Sequence, residues 1–256
     1  MPTPDRAKEY PLPVRRFATR HAMGVAAAAD VADFLRAKIG ISGRRLRVIF
    51  AAAESQRDML ESLIEDHRLD WGRITAFHMD EYIGLPPEAP QRLGSWLKRA
   101  LIDRVPIGRF HAISPEIGVK TAIEDYERLL TEAPIDAVCL GIGVNGHLAF
   151  NEPGPGTDLN DRHWVKEIAL DPVSCQQQVD EGNYPSISAV PKTAITLTVP
   201  GLLSGERLFC VVPGKVKAPA VRRALHDPIG ADCPATALRR HAHCTLYCDE
   251  ESLPEG

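Results

Sequence analysis

No run of about 18 consecutive apolar residues occurs in this chain, so no membrane-spanning helix is expected. The first residues also lack the apolar core of a secretory signal, which makes a cytoplasmic protein the expectation. A surplus of positive charge is missing too: 30 basic against 34 acidic residues leave a net charge of -4. That balance argues against a nucleic-acid surface, and short basic pairs such as Arg44-Arg45 and Arg239-Arg240 read as solvated faces. The six cysteines show no framework of a small secreted protein. Cys139 and Cys210 fall inside strand patterns and read as buried thiols. Cys244 and Cys248 flank a strand candidate beside His241 and His243, but no second cysteine pair completes a structural zinc pattern. No metal or cofactor is therefore expected. There is no internal repeat.

What is present fits one α/β domain spanning residues 1–256, with its core at about 14–249. The chain is 44% apolar and 25% charged, enough to bury a large core. Apolar segments at 46–51, 74–77, 135–140, 194–199, 208–212 and 245–248 are aliphatic and β-branched, as strands require. Between them, 26–38, 56–65, 93–103, 120–131 and 219–225 carry apolar positions at helical spacing. Strands separated by helices predict a mainly parallel sheet with helices on its faces, a Rossmann-like three-layer arrangement. The Pro-rich and polar stretches before Val14 and after Asp249 are expected to be the least ordered.

Chemistry-bearing residues cluster just after two of these strands. Ala137-Val138-Cys139-Leu140 runs into Gly141-Ile142-Gly143-Val144-Asn145-Gly146-His147-Leu148-Ala149-Phe150-Asn151-Glu152-Pro153. Glycines at the carboxyl end of a buried strand let backbone approach a ligand, although such turns also occur without catalysis. This one delivers His147, which can move protons, and Glu152, which can hold its tautomer and stabilise its charged form without a metal.

The second cluster, Asp80-Glu81, follows the strand candidate at 74–77. An acidic pair is commonly a cap or turn in solvent. Here Met79, Tyr82, Ile83 and Leu85 surround it with apolar bulk, so desolvation of at least one carboxylate is expected to raise its basicity. A strand-end carboxylate and a strand-end histidine are the minimum for proton abstraction beside a carbonyl.

MDEYIGL at 79–85, GHLAFNEP at 146–153 and VPKTAITLT at 190–198, in that order and spacing, resemble the glucosamine-6-phosphate deaminase (isomerase) family, from about residue 20 to about residue 250. The resemblance implies that family's modified Rossmann-like fold and a small sugar phosphate as partner. It assigns Asp80 as the base moving a proton between C2 and C1 of the opened amino sugar. His147 would pass a proton to the ring oxygen, with Glu152 orienting it and Asn145 beside it. Glu81, Ser55, Gly146 and Lys217 are the candidate substrate contacts. Family members form hexamers and trimers, which leaves a homo-oligomer open.

Three departures from that family stand out. Many members read Asp-Gly-His where this chain has Asn145-Gly146-His147, so ring opening is expected to be slower or to lean on Glu152, because an amide hydrogen-bonds but carries no charge. The Gly-Gly-Thr-Pro-like phosphate loop is replaced by Ala51-Ala52-Ala53-Glu54-Ser55-Gln56. Free amides at the following helix start and the Ser55 hydroxyl remain anion ligands, while Glu54 would repel phosphate if it pointed inward. Lys217 matches the phosphate lysine, but the phosphate arginine has no counterpart in Cys175-Gln176-Gln177-Gln178-Val179, whose glutamines are suited to sugar hydroxyls. Finally, the segment from Gly154 through Arg162 to Lys166 does not suggest the allosteric anion site of some members.

Two other readings remain. The related 6-phosphogluconolactonases share the fold and a Gly-His turn, but typically continue with a Ser-Leu-Phe-Pro-like segment where this chain has Ala149 to Pro153. A non-catalytic sugar sensor is the other, although no helix-turn-helix segment precedes the fold here.

Overall fold

Central strands buried on both faces, and helices that each bury one stripe, organise the chain into layers. The computed structural model describes residues 8–253. In chain order the elements are β1 (Val14–Phe17), α1 (Arg20–Ile41), β2 (Leu46–Phe50), α2 (Arg57–Ile64), β3 (Ile74–His78), β4 (Asp80–Tyr82), α3 (Leu93–Ala100), β5 (Arg109–His111) and α4 (Val119–Thr131). They continue with β6 (Ala137–Leu140), β7 (Val165–Ala169), α5 (Pro172–Asp180), β8 (Thr193–Leu197), α6 (Val199–Leu202), β9 (Arg207–Val212), α7 (Ala218–His226) and β10 (Cys244–Asp249). Seven strands form one fully parallel sheet in the order β1-β10-β9-β6-β2-β3-β5. This is the α/β architecture the sequence implies.

Period-two alternation sends residues of each central strand into two different cores. Ile49, Phe77, Val138, Leu140 and Cys210 pack with α4 and α7. Val48, Phe50, Ala76, Cys139 and Val211 face the other way, onto α1, α2 and α3. Cys139 and Cys210 are therefore buried thiols on opposite faces, and all six cysteines are free and buried.

A second sheet, β4-β8-β7, is antiparallel. Its β8 is the strand expected at 194–199, and apolar pattern alone does not reveal that it leaves the parallel array. One residue, Met79, separates β3 from β4, and its carbonyl accepts from Leu197 N at 2.7 Å. The chain thus passes directly from one sheet to the other, and Asp80 lies at the crossing, paired in register with Thr196. The strand β8 also holds the second motif: Phe150 N donates to Thr196 Oγ1 at 3.0 Å, and Asn151 Nδ2 to Leu197 O at 2.7 Å. The three motifs are therefore one physical unit.

Several local expectations need correction. The first helix begins at Arg20, six residues earlier than its apolar pattern, because Thr19 Oγ1 accepts from Ala22 N at 3.1 Å and starts it. Arg239 is buried, donating to the carbonyls of Ala224 and Asp227, so it is no solvated face. The loosening expected at the termini partly concerns residues 1–7 and 254–256, outside the described residues. Within them, Leu12 and Leu253 pack on the core, and buried Ser252 donates its amide to Asp249 Oδ1 at 2.8 Å. Among the described residues no helix is long and apolar enough to cross a membrane.

Candidate active site

Adjacent parallel strands β9, β6, β2 and β3 all end on the same edge, and the segment after each contributes to one cavity of about 300 Å³. The segment 51–55 follows β2, Met79-Asp80 follow β3, 141–147 follow β6, and Lys217 lies beyond β9. Ligands of open α/β sheets bind at this carboxyl edge. Trp96 and Arg99 of α3 and Gln177 and Gln178 of α5 form the walls.

Asp80 lines the cavity yet is only 7% exposed. Burial, with the neighbouring Glu81 charge adding to it, pushes its carboxyl up to about 8. The apolar flanks thus do what their composition suggests: they make the carboxylate costly and its proton affinity high. Behind it the wall is fixed. Ile113 N donates to His78 Nε2 at 2.8 Å and Tyr126 Oη to His78 O at 2.7 Å. Burial, reinforced by Arg92, holds His78 down at about 3, so this histidine is neutral scaffolding.

Glu81 is placed differently from the expectation. It is fully buried and does not line the cavity. Its Oε1 accepts from Tyr82 N at 2.9 Å and Leu93 N at 3.0 Å, its Oε2 from Gly94 N at 3.0 Å, and Arg92 Nε lies 3.4 Å away. A carboxylate on these amides caps the start of α3 and holds that wall. Burial still leaves its carboxyl above the ordinary value, against the pull of those amides.

The turn after β6 presents His147 over Gly143. A side chain at Gly143 would drive its Cβ into the His147 imidazole, so the ring needs glycine there. Gly146 has φ +92° and packs against Cys233, where an added Cβ would come within 2.6 Å of Sγ. It shapes the turn and is not part of the cavity lining. The imidazole is gripped from behind: His147 Nδ1 lies 2.9 Å from Ser174 Oγ and 3.4 Å from Glu152 Oε2. Asn145 Nδ2 donates to Glu152 Oε2 at 2.9 Å, while its Oδ1 accepts from His147 N at 3.1 Å. Burial works to raise Glu152, but hydrogen bonds from His147, Ser174 and Asn145 outweigh it and hold the carboxyl below its ordinary value. Glu152 and Asn145 therefore sit behind His147 and leave Nε2 on the cavity side.

At the opposite end, Lys217 is 6% exposed and lines the cavity, with no carboxylate in ion-pair contact among the described residues. Burial brings its ammonium down to about 8, with Glu181 opposing. Ser55 lies on the same lining, its Oγ accepting from Gln56 Nε2 at 3.1 Å. Glu54 does face the cavity, but its charge is engaged: Arg57 Nε donates to Oε2 at 2.7 Å and Trp96 Nε1 to Oε1 at 3.2 Å. The Arg57 hydrogen bond, with Trp96 helping, keeps its carboxyl below the ordinary range despite burial. An anion beside Lys217 meets a compensated acid here.

Of the candidate residues, Asp80, His147, Ser55 and Lys217 share the cavity; Asn145 and Glu152 support His147; Glu81 and Gly146 shape the frame. Sequence reading missed Ser174, and with it α5 altogether. Asp171 followed by Pro172 was the available signal: Asp171 Oδ1 accepts from Val173 N at 2.7 Å, and proline occupies the helix start.

A carboxyl of raised proton affinity, an ordered imidazole and a buried cation thus line one small cavity, which makes the chain an α/β protein with a ligand site at the carboxyl edge of its parallel sheet. The comparisons give this class its family. The chain belongs to the family described as glucosamine-6-phosphate isomerases/6-phosphogluconolactonase, whose model matches residues 18–247. It is 31% identical over 210 residues to a glucosamine-6-phosphate deaminase of Halalkalibacterium halodurans, covering 79% of this chain and 83% of that one. It is 32% identical over 194 residues to a glucosamine-6-phosphate deaminase of Bacillus cytotoxicus, covering 74% and 71%. Among solved structures it superposes on a monomeric glucosamine-6-phosphate deaminase with a TM-score of 0.86 at 28% identity, covering 94% of this chain and 98% of that one. A 6-phosphogluconolactonase from Thermotoga maritima matches at a TM-score of 0.74 and 18% identity, covering 93% and 99%, a likeness of fold.

Proposed function

We propose that this chain is an enzyme converting an amino-sugar phosphate, glucosamine 6-phosphate, to fructose 6-phosphate and ammonia. The observation that carries the reading is that Asp80, with its raised proton affinity, and His147, with its ordered back side, line one cavity with the buried Lys217. The relatives named for this reaction support it.

His147 Nε2 takes the O1 proton of the cyclic sugar and gives it to the ring oxygen as the C1–O5 bond breaks, leaving an aldehyde. Glu152 stabilises the imidazolium formed between the two transfers. The Asp80 carboxylate then removes the C2 proton and returns it to C1. A base with an affinity near the working pH does this better than an ordinary aspartate, since it is partly ionised yet basic enough. As C1 gains that proton, O1 takes up a proton that the C2 ammonium gives up, so C1 becomes a hydroxymethyl group and C2 an iminium; water adds at C2 and ammonia leaves as the ketone forms. Lys217, Ser55 and the amides after 51–53 hold the phosphate, and the glutamines of α5 face the hydroxyls.

The reading treats the chain as one catalytic unit with a sugar phosphate, and not a nucleic acid, as its partner. It places the enzyme in the cytoplasm, because the charge of phosphorylated sugars confines them inside cells. The test is ammonia release from glucosamine 6-phosphate, with coupled detection of fructose 6-phosphate. Formation of both in equal amounts is expected, and formation of neither overturns the reading.

A further inference from the structure

We infer that Ser174 is a positioning residue for His147: its hydroxyl keeps the imidazole proton on Nδ1 and ties the imidazole to helix α5. This rests on the reading of His147 as the ring-opening group. Ser174 is 2% exposed, and its Oγ lies 2.9 Å from His147 Nδ1. The Glu152 carboxylate is farther from the same nitrogen, at 3.4 Å, and its Oε2 already accepts from Asn145. Ser174 is also among the groups that favour the ionised Glu152 carboxylate. An ionised carboxylate 3.4 Å from Nδ1 favours a proton on that nitrogen, and the serine oxygen at 2.9 Å is placed to accept it. Nε2 then faces the cavity with its lone pair free to accept the sugar's O1 proton.

The second half of the inference concerns α5. Ser174, Gln177, Gln178 and Glu181 recur at helical spacing on one face. Three of them line the cavity, and Gln177 Oε1 accepts from Val144 N at 3.3 Å. One helix face thus touches the histidine turn at two points and the ligand space at three, so the wall that meets the sugar also sets the tautomer of the group that opens it. Without Ser174, the nearest acceptor for Nδ1 is a carboxylate beyond good hydrogen-bond length, and both tautomers become accessible.

The experiment uses the full chain and three variants, Ser174→Ala, Ser174→Thr and Ser174→Cys. Nitrogen-15 shifts of the His147 ring and steady-state ammonia release are measured together. The wild type is expected to show the Nδ1–H form. In Ser174→Ala that signature is expected to move toward a mixture of tautomers while kcat falls about tenfold and KM changes by less than about twofold. Ser174→Thr is expected to restore both. Should the alanine variant not fold, the near-isosteric cysteine, a weak donor and acceptor, is expected to show the same displacement. Unchanged ring shifts and unchanged kcat in the alanine or cysteine variant overturn the inference. A wild type that releases no ammonia sinks the proposed function alone, since the ring shifts still report whether Ser174 fixes His147.

Discussion

Two carboxyl groups flank the same small cavity system, both are largely removed from water, and they come out on opposite sides of their ordinary acidity. Asp80 is raised to about 8, whereas Glu152 is held below its usual value. Depth alone does not separate them. Asp80 lies at the crossing of two sheets beside a second acid and has no side-chain donor aimed at it among the described residues, so desolvation dominates. Glu152 accepts from Asn145 and lies 3.4 Å from His147 Nδ1, and these groups, with Ser174, favour its charged form. The contrast supports the proposed roles, with the unsolvated, unsupported Asp80 as base and the supported Glu152 as anchor.

Breaking the contrast at Asp80 has the largest expected effect. Asp80→Asn keeps the shape and removes the base, so kcat is expected to fall on the order of 10³-fold, as measured by ammonia release. The same change is expected to stabilise the fold at alkaline pH. An aspartate whose folded affinity lies above its unfolded value of 3.8 holds a proton that the unfolded chain releases. Stability is therefore full below about pH 4 and is lost as pH rises toward about 8. The amide variant has no such proton to release. Thermal or denaturant melts should show it on the order of 2 kcal/mol more stable than wild type near pH 8.5, and close to wild type near pH 4. A variant matching wild type at both pH values would mean that Asp80 is better solvated than its burial implies.

The pH profile sharpens the contrast next. Loss of a proton from Asp80 switches the base on, so kcat/KM is expected to climb about tenfold per pH unit toward about 8. Lys217, brought down to about 8 by burial, loses its charge over the same range, and kcat/KM falls above it. The result is a narrow maximum near pH 8. In Lys217→Met the overall kcat/KM is lower and the alkaline limb disappears, leaving a plateau. A falling limb that survives this substitution would have to be assigned to another group.

How much of this was legible in advance follows from what kind of signal each part leaves. The core strands of the parallel sheet announce themselves because both faces are buried, giving short continuous apolar runs such as Leu46–Phe50. The edge strands β1 and β5, with exposed arginines, carry no such run. Three-residue β4 is hidden because its residues read first as an acidic motif. Asp80 and His147 were found because strand ends and glycine turns punctuate the sequence around them, and Lys217 because its segment resembles the family's phosphate lysine. The separate fates of Asp80 and Glu81 were not legible: adjacent residues in a strand point to opposite sides, and only the fold decides that one meets a cavity and the other the amides of α3. Ser174 was missed for a related reason. Its helix is polar along most of its length, so its apolar pattern is weak.

The smallest expected effect tests the anchor side of the contrast, and its direction reverses what the family pattern suggests. Placing aspartate at position 145 would look like restoring a missing charge beside His147. In this site Asn145 spends its Nδ2 on Glu152 at 2.9 Å and its Oδ1 on the His147 amide. Asn145→Asp replaces that donor by a second carboxylate against the first, and two such groups do not both ionise at ordinary affinity. One must take up a proton, or Glu152 must move and release its hold on the imidazole. Ammonia release by Asn145→Asp is therefore expected to fall about tenfold, the loss of one charge-assisted hydrogen bond. At low pH, where the extra carboxyl is protonated and can donate again, the deficit should narrow. A rate above wild type would show that full negative charge beside His147 matters more than the donor Glu152 now receives, and that the amide is a handicap this site tolerates.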